Sequence, residues 1–361
     1  MQALPPGSTI GILGAGQLGR MLATAAAQLG FKCRIYSDVP GPASDVAVST
    51  TIGPYGDLEK IARFAAETDV VTYEFENVPV EAAAAVERVR PVRPGLKALE
   101  VAQDRFREKS FISALGLPLP RFAAVDGPAD FAAAIAEVGV PAILKSRRLG
   151  YDGKGQARIA SADEIGAAFE AIGRAPATLE ALVAFKFEVS VLLVRSLTGE
   201  TRTYDIPQNR HEGGILRTST VPSALPEPHR ALARDIAVRL AEALDYVGVI
   251  GVEMFYVGEG ASPLLLNEFA PRVHNSGHWT MDACAIGQFE SHIRAVAGWP
   301  LGATDRHSDC LMDNLIGDDV AAWPQLAGEA GACLHLYGKN QARPGRKMGH
   351  VTRLSALSKG R

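Results

Sequence analysis

Two apolar runs, residues 249–257 and 264–269, are rich in β-branched and aromatic side chains and are separated by Gly258, Gly260 and Pro263. This pattern predicts a β-hairpin. If the two runs pair across that turn, Glu253 and Glu268 come close to opposite each other, and the alternation of strand side chains lets both point to one face. Facing carboxylates repel unless a cation lies between them, and oxygen ligands suit a hard ion such as Mg²⁺. Asn267 adds a polar neighbour, and Arg272, His274, Asn275, Ser276 and His278 follow the second run at once. A solvated loop beside a surface ion pair is the plain alternative, and the surrounding pattern has to decide.

Upstream, residues 9–13 read as a strand that runs through Gly14-Ala15-Gly16-Gln17-Leu18-Gly19 into an Ala/Leu helix ending near residue 29. A second strand, 32–36, ends at Asp38. A glycine turn between strand and helix lets backbone amides approach an anion, as in dinucleotide folds. A helix over 58–67 and a strand over 69–73 repeat the unit and lead into Glu74-Phe75-Glu76-Asn77, before a helix at 80–89. Ligands of open α/β sheets sit at the carboxyl ends of strands, which suits Glu74, Glu76 and Asn77 to a polar substrate.

After Pro91 and Pro94 comes a helical segment with Asp104, Arg105 and Lys109, broken by Pro118 and Pro120. Short strands at 121–125, 142–145, 156–159 and 178–180, with helices at 129–137 and 162–172, predict a small α+β unit with helices on one face. Within it, KSRRLGYDGKGQ (145–156) puts Lys145 at a strand end before a loop loosened by Gly150, Gly153 and Gly155 and charged by Lys154. Such a loop can fold over a triphosphate while Lys145 reaches a phosphate oxygen. It is not a Walker A loop, because it lacks the Gly-Lys-Ser/Thr end and joins two strands. A third region reads as strands at 188–194, 201–206, 310–316 and 332–337, with helices at 227–244 and 281–296. Gln208, Asn209 and His211 fall in a polar loop between them, and Lys339 and the basic RPGRKMGH (343–350) follow the last strand.

The chain has 361 residues, 47% hydrophobic and 21% charged, which predicts two or three folded domains and excludes a disordered chain. A net charge of −3 gives no general attraction for nucleic acid or an anionic membrane. Cys33, Cys284, Cys310 and Cys333 are scattered, which predicts buried free thiols in a reducing compartment. The sequence carries no apolar run long enough to span a bilayer and no signal-peptide layout, so a soluble cytoplasmic protein is expected.

The order of these parts resembles the ATP-grasp ligases. GILGAGQLGRM (11–21), TYEFENVP (72–79), GYDGKGQ (150–156), NEFAPRVHNSGHWT (267–280) and RPGRKMGH (343–350) together resemble the N5-carboxyaminoimidazole ribonucleotide synthetases of purine biosynthesis. The resemblance implies a mixed α/β and α+β ATP-grasp fold: a Rossmann-like pre-ATP-grasp domain (1–104), a small mobile central domain (105–186) and a C-terminal α+β domain (187–361). It implies a ligase that uses ATP and Mg²⁺ to carboxylate 5-aminoimidazole ribonucleotide with bicarbonate through carboxyphosphate, as a homodimer. By position, Arg105, Lys145 and Gly150, Tyr151, Asp152, Gly153, Lys154, Gly155 and Gln156 would contact ATP phosphates. The loop would close as a lid over the water-sensitive intermediate. Glu180, Ala181, Leu182 and Val183 would line the adenine, Glu188 would take the ribose, and His211 would lie in the nucleotide site. Glu253 and Glu268 would hold the metal beside Asn267. Arg272 would stabilise carboxyphosphate, with His274 and Asn275 close to the reaction. Gln17, Leu18, Glu74, Asn77, Lys339 and Arg346 would bind the ribonucleotide, the last two at its 5′-phosphate. The segment 180–188 departs from the family pattern at Ala181, Leu182, Ala184, Lys186 and Phe187. The short stretch after residue 337 lacks an expected closing helix. Another ATP-grasp carboxylate–amine ligase is the alternative within the superfamily, and an NAD-dependent dehydrogenase, resting on the first glycine turn and Asp38, is the rival of different chemistry.

Overall fold

The computed structural model describes residues 3–150 and 155–358. Three sheets follow one another along the chain. The first is parallel, in the order Ser49–Ile52, Lys32–Ser37, Thr9–Leu13, Val70–Tyr73. Its central strands are apolar on both faces because helices Gln17–Gln28, Leu58–Ala66 and Val80–Glu87 cover them, as parallel sheets require.

The second sheet is antiparallel, in the order Phe122–Val125, Ala177–Ala181, Ala142–Ser146, Gln156–Ile159. Alternation decides its two faces. Ala142, Leu144, Ala177 and Leu179 pack with helices Phe131–Val138 and Ile165–Ala171. Ile143, Lys145 and Glu180 fall on the other face, and all three line the main cleft.

The third sheet is antiparallel and large. Its order is Leu264–Ala270, Gly248–Tyr256, Phe187–Arg195, Gln208–Glu212, Ile215–Val221, Asp309–Ile316, Lys347–Ser355, Ala332–Leu336, with Thr201–Thr203 paired beside Phe187–Arg195. Helix Glu227–Ala243 packs its Ala233, Ile236, Ala237 and Leu240 on one face. On the other, helix Gln288–Ala297 shares a core with helix Gln17–Gln28, which fastens the first sheet to the third.

Several elements differ from the sequence expectation. Gln208, Asn209 and His211 lie in a strand, not a loop, because Gly213-Gly214 closes a hairpin onto Ile215–Val221. A two-residue Gly-Gly turn between polar and apolar runs was the available signal. The helix expected over 281–296 is two, Thr280–Ala283 and Gln288–Ala297, with Thr280 Oγ1 accepting the Gln288 amide across the break. The strand expected over 201–206 is only Thr201–Thr203. Half of the basic 343–350 segment belongs to strand Lys347–Ser355, which inserts between two expected strands. Its charges masked a run buried on both faces from Met348 to Thr352. Cys33, Cys284 and Cys310 are buried free thiols, whereas Cys333 is half-buried.

Candidate active site

The hairpin Gly248–Tyr256/Leu264–Ala270 pairs Glu253 directly with Glu268. Simple alternation would not have given this. Leu264 and Leu266 lie in the core with Met254 and Tyr256, so Glu268 is in phase with the core residues. A bulge between Glu253 and Met254 leaves Asn267 as the extra residue and shifts the phase. Glu268 then turns to the cleft while Phe269 returns to the core.

Helix Arg105–Ala114 clamps this bulge. Asp104 caps it by accepting the amides of Phe106 and Arg107. Residues three and four apart share a helix face, so Arg105, Glu108 and Lys109 point together. Arg105 donates to Glu268 at 2.8 Å, Lys109 donates to the Asn267 carbonyl, and Glu108 accepts the Phe269 amide at 2.8 Å. Burial pushes the Glu108 carboxyl up to about 7, with Glu268 adding to that and Arg105 opposing it. Lys109 is fully buried and also lies 3.3 Å from Glu180.

Glu180 is the centre of an ionic lattice. Lys145 reaches it at 3.0 Å, Lys109 at 3.3 Å and Arg105 at 3.9 Å. Burial would raise its carboxyl, but Lys109, Lys145 and Arg105 together hold it down at about 2. Lys145 does not show the matching rise. Burial depresses its ammonium, and Arg105 and Lys109 push the same way, which outweighs the pull of Glu180.

Glu253 accepts from His274 Nε2 at 2.9 Å, and His274 Nδ1 lies 2.8 Å from Ser276 Oγ. Burial opposes ionisation of Glu253, yet His274 and, further off, His211 hold it low. His211 pairs with Glu188 at 2.5 Å across neighbouring strands. That contact outweighs burial and raises the imidazole above its ordinary value. The segment after the hairpin is not a solvated loop. Val273 and Trp279 are buried in the core, Ser276 meets Ser190 at 2.7 Å, and Asn275 and Asn314 exchange hydrogen bonds at 2.9 and 2.8 Å.

From the first sheet, Glu76 pairs with Arg272 at 2.5 Å. Burial works against this carboxylate, and Arg272 overcomes it and lowers it. Glu74 turns the other way, into the glycine turn, where its carboxylate accepts the amides of Gly16 at 2.6 Å and Gly19 at 2.9 Å. A Cβ on Gly16 would stand 2.5 Å from Glu74 Oε1, so this close approach requires glycine. The anion that the turn was expected to receive is therefore the protein's own, which removes the physical basis for a dinucleotide site there.

These groups border one cleft of about 1240 Å³. Every described residue to which the sequence assigned a site role lines it: the Lys145–Glu180 wall with Arg105, Gly150, Gly155 and Gln156, the Ala181–Val183 turn, Glu188 and His211, the Glu253–Glu268 pair with Asn267, Arg272, His274 and Asn275, and Gln17, Leu18, Glu74, Asn77, Lys339 and Arg346. Tyr151, Asp152, Gly153 and Lys154 lie outside the described residues. Lys109 and Glu108 were missed as site-builders; the signal was charges at i, i+3 and i+4 on a helix face. In the altered segment 180–188, Phe185 stacks on Phe255 with centroids 4.8 Å apart, beside Leu182 at the cleft edge. The carboxylate pair fits a hard divalent cation. Its donors are all oxygens, and the buried Asn267 Oδ1 has no hydrogen-bond partner among the described residues.

Three family profiles match in series: a ribonucleotide synthetase preATP-grasp domain at residues 7–103, an ATP-grasp domain at 110–289, and a phosphoribosylaminoimidazole carboxylase C-terminal domain at 310–358. The N5-carboxyaminoimidazole ribonucleotide synthase of Brucella melitensis is 54% identical over 355 residues, 98% of each chain. This chain belongs to the N5-carboxyaminoimidazole ribonucleotide synthase family. The ATP-grasp synthase fold is shared with solved members. The Thermus thermophilus synthetase superposes with a TM-score of 0.89 at 47% identity, covering 96% of this chain and 93% of that one. The Aspergillus clavatus synthase, solved with ADP and 5-aminoimidazole ribonucleotide, gives a TM-score of 0.90 at 30% identity, covering 97% and 94%. Within this synthase family the three sheets are the pre-ATP-grasp unit, the small ATP-grasp sheet and the sheet shared by the large ATP-grasp part and the C-terminal domain.

Proposed function

We propose that the protein carboxylates 5-aminoimidazole ribonucleotide with bicarbonate at the expense of ATP, and that the cleft residues divide this work by position. The γ-phosphoryl group of ATP passes to a bicarbonate oxygen, giving ADP and carboxyphosphate. The exocyclic amine of the ribonucleotide attacks the carboxyl carbon, phosphate leaves, and the amine loses a proton. Phosphoryl transfer needs little covalent help from protein and much positioning and charge neutralisation. Lys145 and Arg105 supply cations to the ATP phosphates, with Gly150, Gly155 and Gln156 beside them. Glu188 and His211 face the ribose, and residues 181–183 border the adenine. Glu253, Glu268 and Asn267 would hold Mg²⁺, which when bound neutralises charge on the transferring phosphoryl group. Arg272, fixed by Glu76, faces the bicarbonate-derived group, with His274 and Asn275 orienting the same corner. Gln17, Leu18, Glu74 and Asn77 take the ribonucleotide, and Lys339 and Arg346 its 5′-phosphate.

The observation that carries this reading is the facing Glu253–Glu268 pair in the same cleft as Lys145, Arg105 and Arg272. The reading also divides the chain into units 1–104, 105–186 and 187–361, supported by sheets that fall within 9–73, 122–181 and 187–355. It includes a homodimer in the cytoplasm, which light scattering and fractionation test. No helix among the described residues is long and apolar enough to cross a membrane. The direct test measures ADP release with ATP, Mg²⁺ and bicarbonate. Strong stimulation by 5-aminoimidazole ribonucleotide is expected, and equal rates with and without it would refute the substrate.

A further inference from the structure

Strands Ala332–Leu336 and Lys347–Ser355 pair with His335 opposite His350 and Cys333 opposite Thr352. Directly opposed residues share a face, so these four side chains form one patch. Asp282, on the short helix Thr280–Ala283, reaches the patch, with its carboxylate oxygens 2.9 and 3.1 Å from His335 Nε2. One ligand atom from each of Asp282, His335 and His350 lies within 4.8 Å of the others. Cys333 stands two residues from His335 on the same face of its strand, just outside this three-residue cluster.

An ordinary Asp–His hydrogen bond explains part of this and leaves the deeper part unexplained. His350 is fully buried. Its Nδ1 lies 2.8 Å from the Tyr337 hydroxyl, yet its Nε2 has no partner among the described residues, and neither has the buried Thr352 Oγ1. Buried polar atoms are nearly always partnered, so two side by side without partners call for an explanation. In the tautomer whose Nδ1–H donates to the Tyr337 hydroxyl, His350 presents its Nε2 lone pair, which is how second partners orient metal-binding imidazoles.

We propose that Asp282, His335 and His350 form a second metal site, separate from the Glu253–Glu268 pair, that takes Zn²⁺ with Cys333 as the fourth donor. Two imidazoles, a carboxylate and a thiol suit a borderline first-row cation and not Mg²⁺. The donors of a tetrahedral zinc site lie about 3.3 Å apart, as bonds of about 2.0–2.1 Å require. Binding therefore draws the three ligands together. It fastens helix Thr280–Ala283, which directly follows the cleft segment from Arg272 to Trp279, to the last two strands. The site's role is structural, and it stands whether or not the proposed reaction is right.

The test uses full-length protein stripped with EDTA and held in excess Mg²⁺, titrated with Zn²⁺ by calorimetry and with Co²⁺ by visible absorption. One equivalent of Zn²⁺ should bind and raise the thermal midpoint, and Co²⁺ should give a four-coordinate spectrum with a thiolate band. Asp282 and His335 are partly exposed, so Asp282→Asn and His335→Gln are chosen over a change at buried His350. Each should weaken Zn²⁺ binding by about a hundredfold or more, whereas Glu268→Gln should leave it intact. Cys333→Ser should remove the thiolate band. Zn²⁺ binding that survives His335→Gln unchanged, or that is lost in Glu268→Gln instead, would overturn the site. A thiolate band that survives Cys333→Ser would overturn the fourth donor.

Discussion

The inner wall of the cleft and its basic rim are built on opposite plans. In the wall, Arg105, Lys109 and Lys145 all converge on Glu180, and Arg105 also holds Glu268. Cations and anions there are already matched, and the side chains of Lys109 and Glu180 are 0% and 4% exposed. At the rim, two arginines rest on neutral oxygens. Arg346 donates to the Gln341 carbonyl at 2.9 Å and Arg343 to the Gln341 side-chain oxygen at 2.7 Å, and both line the cleft. A matched lattice fixes geometry and projects little field, whereas cations on neutral acceptors keep their attraction for an incoming anion. The wall therefore suits precise placement of phosphoryl groups and metal. The rim suits capture of a phosphate that arrives with the second substrate.

If the wall is a lattice, removing one buried member should be costly. Lys109→Met strips one of three cations from Glu180 and a donor from Asn267. Breaking a buried pair costs about 3–5 kcal/mol, and the low end is expected because Lys145 remains. Urea denaturation measures it, and a loss below about 1 kcal/mol would mean the wall behaves like a surface.

Acid should undo the same lattice. The Glu180 carboxyl, about 2 in the folded protein against an ordinary 4.5, binds fewer protons folded than unfolded. Its contribution is full above pH 4.5 and is lost as pH falls towards about 2. The shift corresponds to about 3 kcal/mol. Glu180→Gln should flatten the stability profile across that window, and an unchanged slope would argue against the pairing.

The metal assignment sharpens the comparison further. Glu253→Gln or Glu268→Gln keeps the shape and removes one charge from the pair. Turnover should fall by about tenfold or more at limiting Mg²⁺, with the fold retained by circular dichroism. Near-normal turnover in both variants would remove the metal from this hairpin.

Much of this site was legible in the sequence because its residues lie in or just after apolar strands and carry the right chemistry. Lys145, Glu180, Glu253, Glu268 and Arg272 all lie within or directly after apolar runs, and all meet in the cleft. What was not legible depends on pairing between distant segments. The bulge at Asn267 reverses the phase of Glu268 and leaves no trace in local alternation. Glu74 filling the first glycine turn joins positions 58 and 55 residues apart. Lys109 and Glu108 meet the hairpin at positions 158 and 161 residues further along the chain. The last strand was hidden by Arg343, Arg346 and Lys347, whose charges suggested a loop.

The division of the cleft is tested most directly by steady-state kinetics of Arg346→Ala with both substrates varied. A lost charge-assisted contact to phosphate costs roughly 1.5–3 kcal/mol, so KM for the ribonucleotide should rise about ten- to a hundredfold. KM for ATP should barely move, because the inner wall is intact. The dephosphorylated nucleoside should be a poor substrate for the unaltered enzyme and hardly worse for the variant. A rise in KM for ATP with the ribonucleotide unaffected would contradict the account.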